Sequence, residues 1–268
     1  MRAKASISEH TIGVNILNND LLTVARHVYA SEHRTMTTTN RDTMLATPDV
    51  PWASEAIELV FTQESRSVAN HSARSWIFAC MLRDHLNLTQ EVDETLLFAA
   101  TLLHDIGLRR DVRDPVRFEI DGADRAAEFL TAQGLGAAEV DKVWEAIALH
   151  TSPGIPERRG SLTFLTRAGA GMDFGKFTEC ISDDQAAAIH EAYPRLAFAR
   201  SIVDDDIVEQ IRATPERGPM FSIGHTLVSE RSTPAIRHAA GARDRRVTMG
   251  RITMVCNDSH INYQRPGT

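Results

Sequence analysis

His104 and Asp105 stand side by side where a strongly apolar run, residues 94–103, comes to an end, and a further histidine, His71, lies 33 residues before them. An aspartate in the last turn of a buried helix is doubly unfavourable, because it loses hydration and faces the negative end of the macrodipole. A divalent cation shared with the neighbouring imidazole removes both costs. Asp173, which closes the segment 162–173, offers a second carboxylate. Two imidazoles and two carboxylates on separate helical segments suit a borderline or hard ion such as Zn²⁺, Fe²⁺ or Mn²⁺. Coordination positions would remain for water and substrate. Taken singly, His71 reads as a hydrogen-bonded core histidine and Asp173 as a cap of the following turn. Together, His71, His104, Asp105 and Asp173 read as a metal site.

The elements that must position these groups are helical. Apolar residues recur with helical period over 52–62, 67–86, 91–105, 122–133, 137–150, 160–173, 183–191 and 194–212. Breakers separate them: Gly107, a loop over 109–121 containing Pro115, Gly134 with Gly136, and the stretch from Thr151 to Pro156. Thr89 ahead of Glu91, and Asp121-Gly122 ahead of an apolar-periodic run, serve as start signals. Glycines at 169 and 171 would let a neighbouring helix approach closely. No stretch alternates apolar and polar residues long enough to need a sheet, so the expected fold is all-α, a helical bundle around a central metal site.

Composition narrows the function classes. The chain has 268 residues, 43% of them hydrophobic and 24% charged, as in soluble globular proteins. A net charge of −7 argues against a general nucleic-acid or anionic-membrane surface. No signal-peptide layout is seen, and the longest apolar run is too short to cross a bilayer. Cys80, Cys180 and Cys256 are widely spaced and form no CxxC pair, so neither a disulfide framework nor a zinc knuckle is suggested. A cytoplasmic protein acting on a small molecule is expected, with homo-oligomer formation left open. Residues 1–46 read as a poorly ordered leader, with Met44 as an alternative start, and 47–230 as the folded domain. Residues 231–268 carry seven arginines against two aspartates and read as a basic, loosely packed tail.

The order His71 … His104-Asp105 … Asp173 resembles the H…HD…D signature of the HD-domain metalloenzyme superfamily. The surrounding text, NHSARSW, LLHDIGL, RFEIDGADRAAEFL, VWEAIALHTSPGIP and AGAGMDF, resembles the cyanamide-hydratase-like branch. The resemblance covers roughly residues 48–228. It implies an HD helical bundle, a divalent metal held by the four residues above, and addition of water to a small neutral substrate: cyanamide, giving urea, or a related nitrile.

Departures from the family pattern sharpen this. Members with two or more metals usually carry a histidine four residues before the Gly-Ala that opens the next helix, and a His-His pair at the end of the helix after that. Here those places hold Phe118, with Glu119 beside it, and His150-Thr151, which implies one metal per chain. The single-metal nucleotidases typically place a glutamate three residues after the HD aspartate to position water; here that residue is Leu108. Asp105 is then the candidate to accept and return a proton, with His150 or Glu119 orienting the substrate nitrogen. His150 otherwise reads as a helix-end histidine bonded to backbone. Glu119 and Asp121 read as a solvated charged loop or a carboxylate lid over the metal. The alternative function is phosphohydrolysis of nucleotides or phosphate esters, with Arg74, Arg109, Arg110 and Arg117 neutralising phosphate. A third reading is a non-catalytic metal-stabilised module.

Overall fold

The computed structural model describes residues 44–232 apart from residues 111, 113, 198 and 199. The described residues all belong to one unit, Met44–Thr268. Most of the expected leader over 1–46 and almost all of the basic tail over 231–268 lie outside the described residues; residues 44–46 are described, and Leu45 is buried in the core. Among the described residues, nine α-helices and no strand are found, so the fold is all-α. The helices are α1 Ala53–Gln63, α2 Arg66–His85, α3 Glu94–Leu102, α4 Phe118–Ala132, α5 Ala137–Leu149, α6 Ser161–Met172, α7 Asp183–Ala192, α8 Glu209–Ala213 and α9 Ile223–Ser232.

α3 is the axis of the bundle. Leu97, Phe98, Ala99, Ala100, Thr101 and Leu102 are wholly buried, so beyond its first turn the helix has no solvent face and packs against α2, α5 and α6. It starts three residues later than its sequence pattern suggests. Asp93, not Thr89, caps it, its carboxylate accepting from the N–H groups of Thr95 (2.8 Å) and Leu96 (3.1 Å). α2 is capped by Ser65 and carries Arg83 and His85 in its last turn, where positive charge opposes the macrodipole. Gly169 of α6 lets that helix sit on α2, since a Cβ there would lie 2.5 Å from the Ser75 carbonyl oxygen. Gly171 plays no such part, having only the Lys176 side chain near it.

Two expected boundaries fail for physical reasons. α4 begins at Phe118, so Asp121-Gly122 lies inside the helix and does not open it. Gly122 is there for space: a Cβ on it would come within 3.2 Å of both the Gly107 nitrogen and the His104 carbonyl oxygen. Gly107 likewise does not act as a helix stop. It sits in a 3-10 turn, Ile106–Leu108, and a Cβ on it would lie 2.0 Å from the Phe118 carbonyl oxygen. The two glycines let α4 pack directly on the backbone that carries His104 and Asp105. The expected helix 194–212 is a π-helical segment, Arg200–Val208, continuing into α8.

This last segment and α9 cover the turn from outside. Ile202, Val203, Ile207, Val208, Ile211 and Leu227 form a second apolar cluster with Val68, Leu108 and Phe118. Arg217, buried beneath it, donates to the carbonyls of Gly107 (2.7 Å) and Asp114 (2.9 Å). Asp121 faces Arg217 (3.4 Å) and also pairs with Arg109 and Arg125. It is thus the counter-ion of a buried arginine cluster, not a lid residue. Asp206 accepts from the Ser65 hydroxyl at 2.8 Å, tying the π-helical segment to the start of α2. Burial pushes the Asp206 carboxyl up to about 6, and the charge of Asp105 adds to the rise.

Gly107→Ala should therefore destabilise the fold by about 1–3 kcal/mol, the usual cost of overpacking, read as a lower denaturant midpoint; an unchanged midpoint would mean that the turn yields freely. Asp206 supplies a pH-dependent expectation. With its folded pKa raised, it binds a proton more tightly folded than unfolded, so its contribution is full below about pH 4 and lost as pH rises through about 6. Asp206→Asn keeps an acceptor for Ser65. Its melting temperature should pull ahead of the parent's between about pH 4 and pH 6 and stay ahead above that. A difference that ignores pH would refute the assignment.

Candidate metal centre

Two helix ends and one helix interior converge on a single point. His71 comes from the middle of α2, His104 and Asp105 follow the end of α3, and His150 follows the end of α5. Each imidazole is oriented through Nδ1. In His104 it lies 2.8 Å from the Thr101 carbonyl, in His150 2.7 Å from the Ile147 carbonyl, and in His71 2.8 Å from Asp173 Oδ2. These partners only accept, so each Nδ1 carries the proton. The first two are carbonyls of a final helical turn, and that of Ile147 also accepts from the His150 N–H at 3.2 Å. In the neutral rings Nε2 is therefore left with a lone pair.

All three Nε2 atoms point towards the Asp105 carboxylate. Those of His71 and His104 lie 3.3 Å apart. Asp105 Oδ2 is 3.2 Å from His104 Nε2 and 3.7 Å from His71 Nε2, and Oδ1 is 3.5 Å from His150 Nε2. Lone pairs facing one another in a buried place repel unless positive charge lies between them. Two donors each about 2.1 Å from a shared ion at the tetrahedral angle stand about 3.4 Å apart, close to the spacings here. Donor chemistry and geometry both fit a divalent cation, and His71, His104 and Asp105 form the group able to hold it.

The electrostatics agree. Burial alone would raise the Asp105 carboxyl, but His104, and then His150, hold it well below the usual carboxylate range. Burial opposes charge on His104, yet Asp105 outweighs it and the imidazole's pKa rises. Burial lowers that of His71 against the pull of Asp173.

The structure does not bring Asp173 into the group of three. It stands behind His71, on the Nδ1 side. The buried Arg74 guanidinium holds both its oxygens, with Nε 3.0 Å from each and Nη2 2.6 Å from Oδ2. A carboxylate on the far nitrogen of a ligating histidine fixes the ring and raises its basicity. Arg74, expected as a phosphate contact, is occupied by this carboxylate and by the Tyr193 carbonyl (2.7 Å). Its place three residues after His71, on the same helix face, was the available signal. Glu119 is not in a loop over the metal. It lies buried in the first turn of α4, accepting from Arg117 (2.8 Å) and from the Thr151 hydroxyl (2.6 Å), and so latches α4 to the residue after His150. Sequence reasoning also passed over Glu64, whose wholly buried carboxyl accepts from Ser72 (3.2 Å). Burial, and then the charge of Asp105, lifts its pKa well above the ordinary value.

Residues 68–185 match the model of the HD domain family, a span that contains His71, His104, Asp105, His150 and Asp173. The match supports the HD-domain superfamily, whose members are generally metal-dependent hydrolases. No match was found among curated proteins. No helix among the described residues is long and apolar enough to cross a membrane.

Replacing Asp173 by Asn should weaken metal binding by about 10–100-fold while one equivalent still binds at saturation, as removal of an orienting carboxylate does. Competition with a chromophoric chelator measures it. Unchanged affinity would remove the orienting role, and complete loss of binding would place Asp173 among the ligands.

Proposed function

We propose that the chain is a metal-dependent hydratase or hydrolase adding water to a small neutral substrate, with cyanamide, giving urea, or a related nitrile as the lead candidate. One divalent transition metal per chain, zinc foremost and iron(II) or manganese(II) otherwise, would be held by His71, His104 and Asp105. The observation that carries this reading is the convergence of three imidazole Nε2 atoms on one carboxylate inside an apolar enclosure. Leu108 and Phe118, where catalytic or ligating groups of other HD enzymes would stand, are both buried in the apolar cluster under the C-terminal segment. The arginines near the turn also support a neutral substrate: Arg109 is committed to Asp121 and Asp114, and Arg117 to Glu119.

A bound divalent ion would supply the electrophilic contact and an acidified water. The chain's own groups handle the proton. Asp105 Oδ1 and His150 Nε2, 3.5 Å apart, form a pair in which the imidazole has room for a proton and the carboxylate stabilises the resulting charge. The water oxygen bonds to the nitrile carbon. One water proton passes to the Asp105–His150 pair and returns to the nitrile nitrogen, giving isourea; its remaining O–H proton then moves to that same nitrogen, so that water and cyanamide together give urea with nothing left over. Ile147, through its carbonyl, keeps His150 in the tautomer this needs.

A second reading, phosphohydrolysis, is favoured by one observation. Arg195 and His190, both half-buried, lie beside Asp173 at 3.4 Å and 3.9 Å and bring positive charge to that side of the centre. The two readings separate on assay. Cyanamide should be turned over faster than nucleoside monophosphates at equal concentration, and His150→Ala should lower turnover with metal content unchanged. Rapid nucleotide dephosphorylation with no urea formed would establish the second reading instead.

A further inference from the structure

The centre is nearly sealed: His71, His104, Asp105 and His150 are all buried. Two phenylalanine rings meet these imidazoles edge-on. Phe118 lies 5.9 Å from His150 and is 4% exposed; Phe174 lies 5.5 Å from His71 and is 43% exposed. Phe118 is locked in the apolar cluster under the C-terminal segment. Phe174 is the ring that has solvent on one side and a candidate metal ligand on the other.

The backbone around Phe174 is fixed even though its side chain faces water. The N–H groups of Phe174, Gly175 and Lys176 donate to the carbonyls of Gly171, Met172 and Gly171 at 3.0, 2.9 and 3.2 Å, closing a tight turn directly after α6. Gly175 takes a φ of 83°, a conformation that suits glycine, and Phe177 is held at 53° with its ring 6.0 Å from Phe164. On this side the group standing between His71 and solvent is the Phe174 ring, and turning it about χ1 and χ2 leaves the loop backbone in place. A ring turning about χ1 and χ2 clears a narrow gap and readmits only what fits beside it.

We propose that Phe174 is the specificity-determining residue that sets the size of molecule reaching the metal centre, admitting small linear molecules and excluding those as broad as an aromatic ring. The inference rests on the metal-centre reading above and deepens it. A two- or three-heavy-atom substrate, such as a nitrile, passes beside the ring; a nucleotide does not.

The test uses the cobalt(II)-loaded protein, whose visible spectrum reports exogenous ligands without any catalytic assay. Azide, imidazole and 4-phenylimidazole are mixed with the parent, Phe174→Ala and Phe174→Leu, with Phe221→Ala as a control. Phe221 is 94% exposed and forms no ring contact among the described residues. In the parent, association should slow from azide to 4-phenylimidazole. Phe174→Ala should raise the 4-phenylimidazole rate by about tenfold, equivalent to removing about 1.4 kcal/mol from the barrier to passage. Azide association should hardly change, Phe174→Leu should fall between, and the control should match the parent. Equal rates for all ligands in parent and Phe174→Ala, with cobalt fully bound, would overturn the gate alone. A chain that takes up no cobalt would overturn the metal-centre reading and the gate with it.

Discussion

Everything in this molecule turns on one buried convergence: three imidazoles whose outer nitrogens are already committed, facing a carboxylate with their inner nitrogens. Such an arrangement is unfavourable by itself. Lone pairs and negative charge are crowded where water cannot reach, and the cost falls only when positive charge arrives. The bundle exists to hold that arrangement against its own repulsion. Beyond its first turn α3 is buried on every face, so the turn that follows it has no freedom to swing into solvent. Arg74 fixes the Asp173 carboxylate behind His71, and the helix-end carbonyls of Thr101 and Ile147 fix the other two rings.

Sequence patterning revealed the helices and the HD pair because both are local. Helical period over 137–150 and 160–173 places α5 and α6 to within one residue at each end, and an imidazole beside a carboxylate after an apolar run is visible without any knowledge of the fold. What was hidden depends on contacts distant in the chain. Asp121-Gly122 looks like a helix start because aspartate and glycine are common there, yet the glycine answers to Gly107, fifteen residues away. Asp173 looks like a ligand by its place in the motif. Its partner Arg74 lies 99 residues earlier, and nothing in the sequence says which of the two claims the carboxylate first. Glu119 and Asp121 looked like loop charges because the start of α4 was set four residues too late.

The chemistry follows from how dry the centre is. On the proposed function, a buried carboxylate facing histidines cannot rely on bulk water to carry protons, so proton transfer would run through the Asp105–His150 pair itself. Enclosure of this kind strengthens each electrostatic contact with a small uncharged molecule and penalises entry of a charged one that would have to shed its hydration shell.

Arg217 grips the carbonyl of Gly107 from a segment that lies beyond the stretch matching the HD domain family. The turn that carries His104 and Asp105 is thus held on its outer side by residues outside the matched span. The two stretches form one mechanical object. A substitution at 200–217 that shifts Arg217 would be transmitted to the spacing of His104 and Asp105 with both of those residues unchanged.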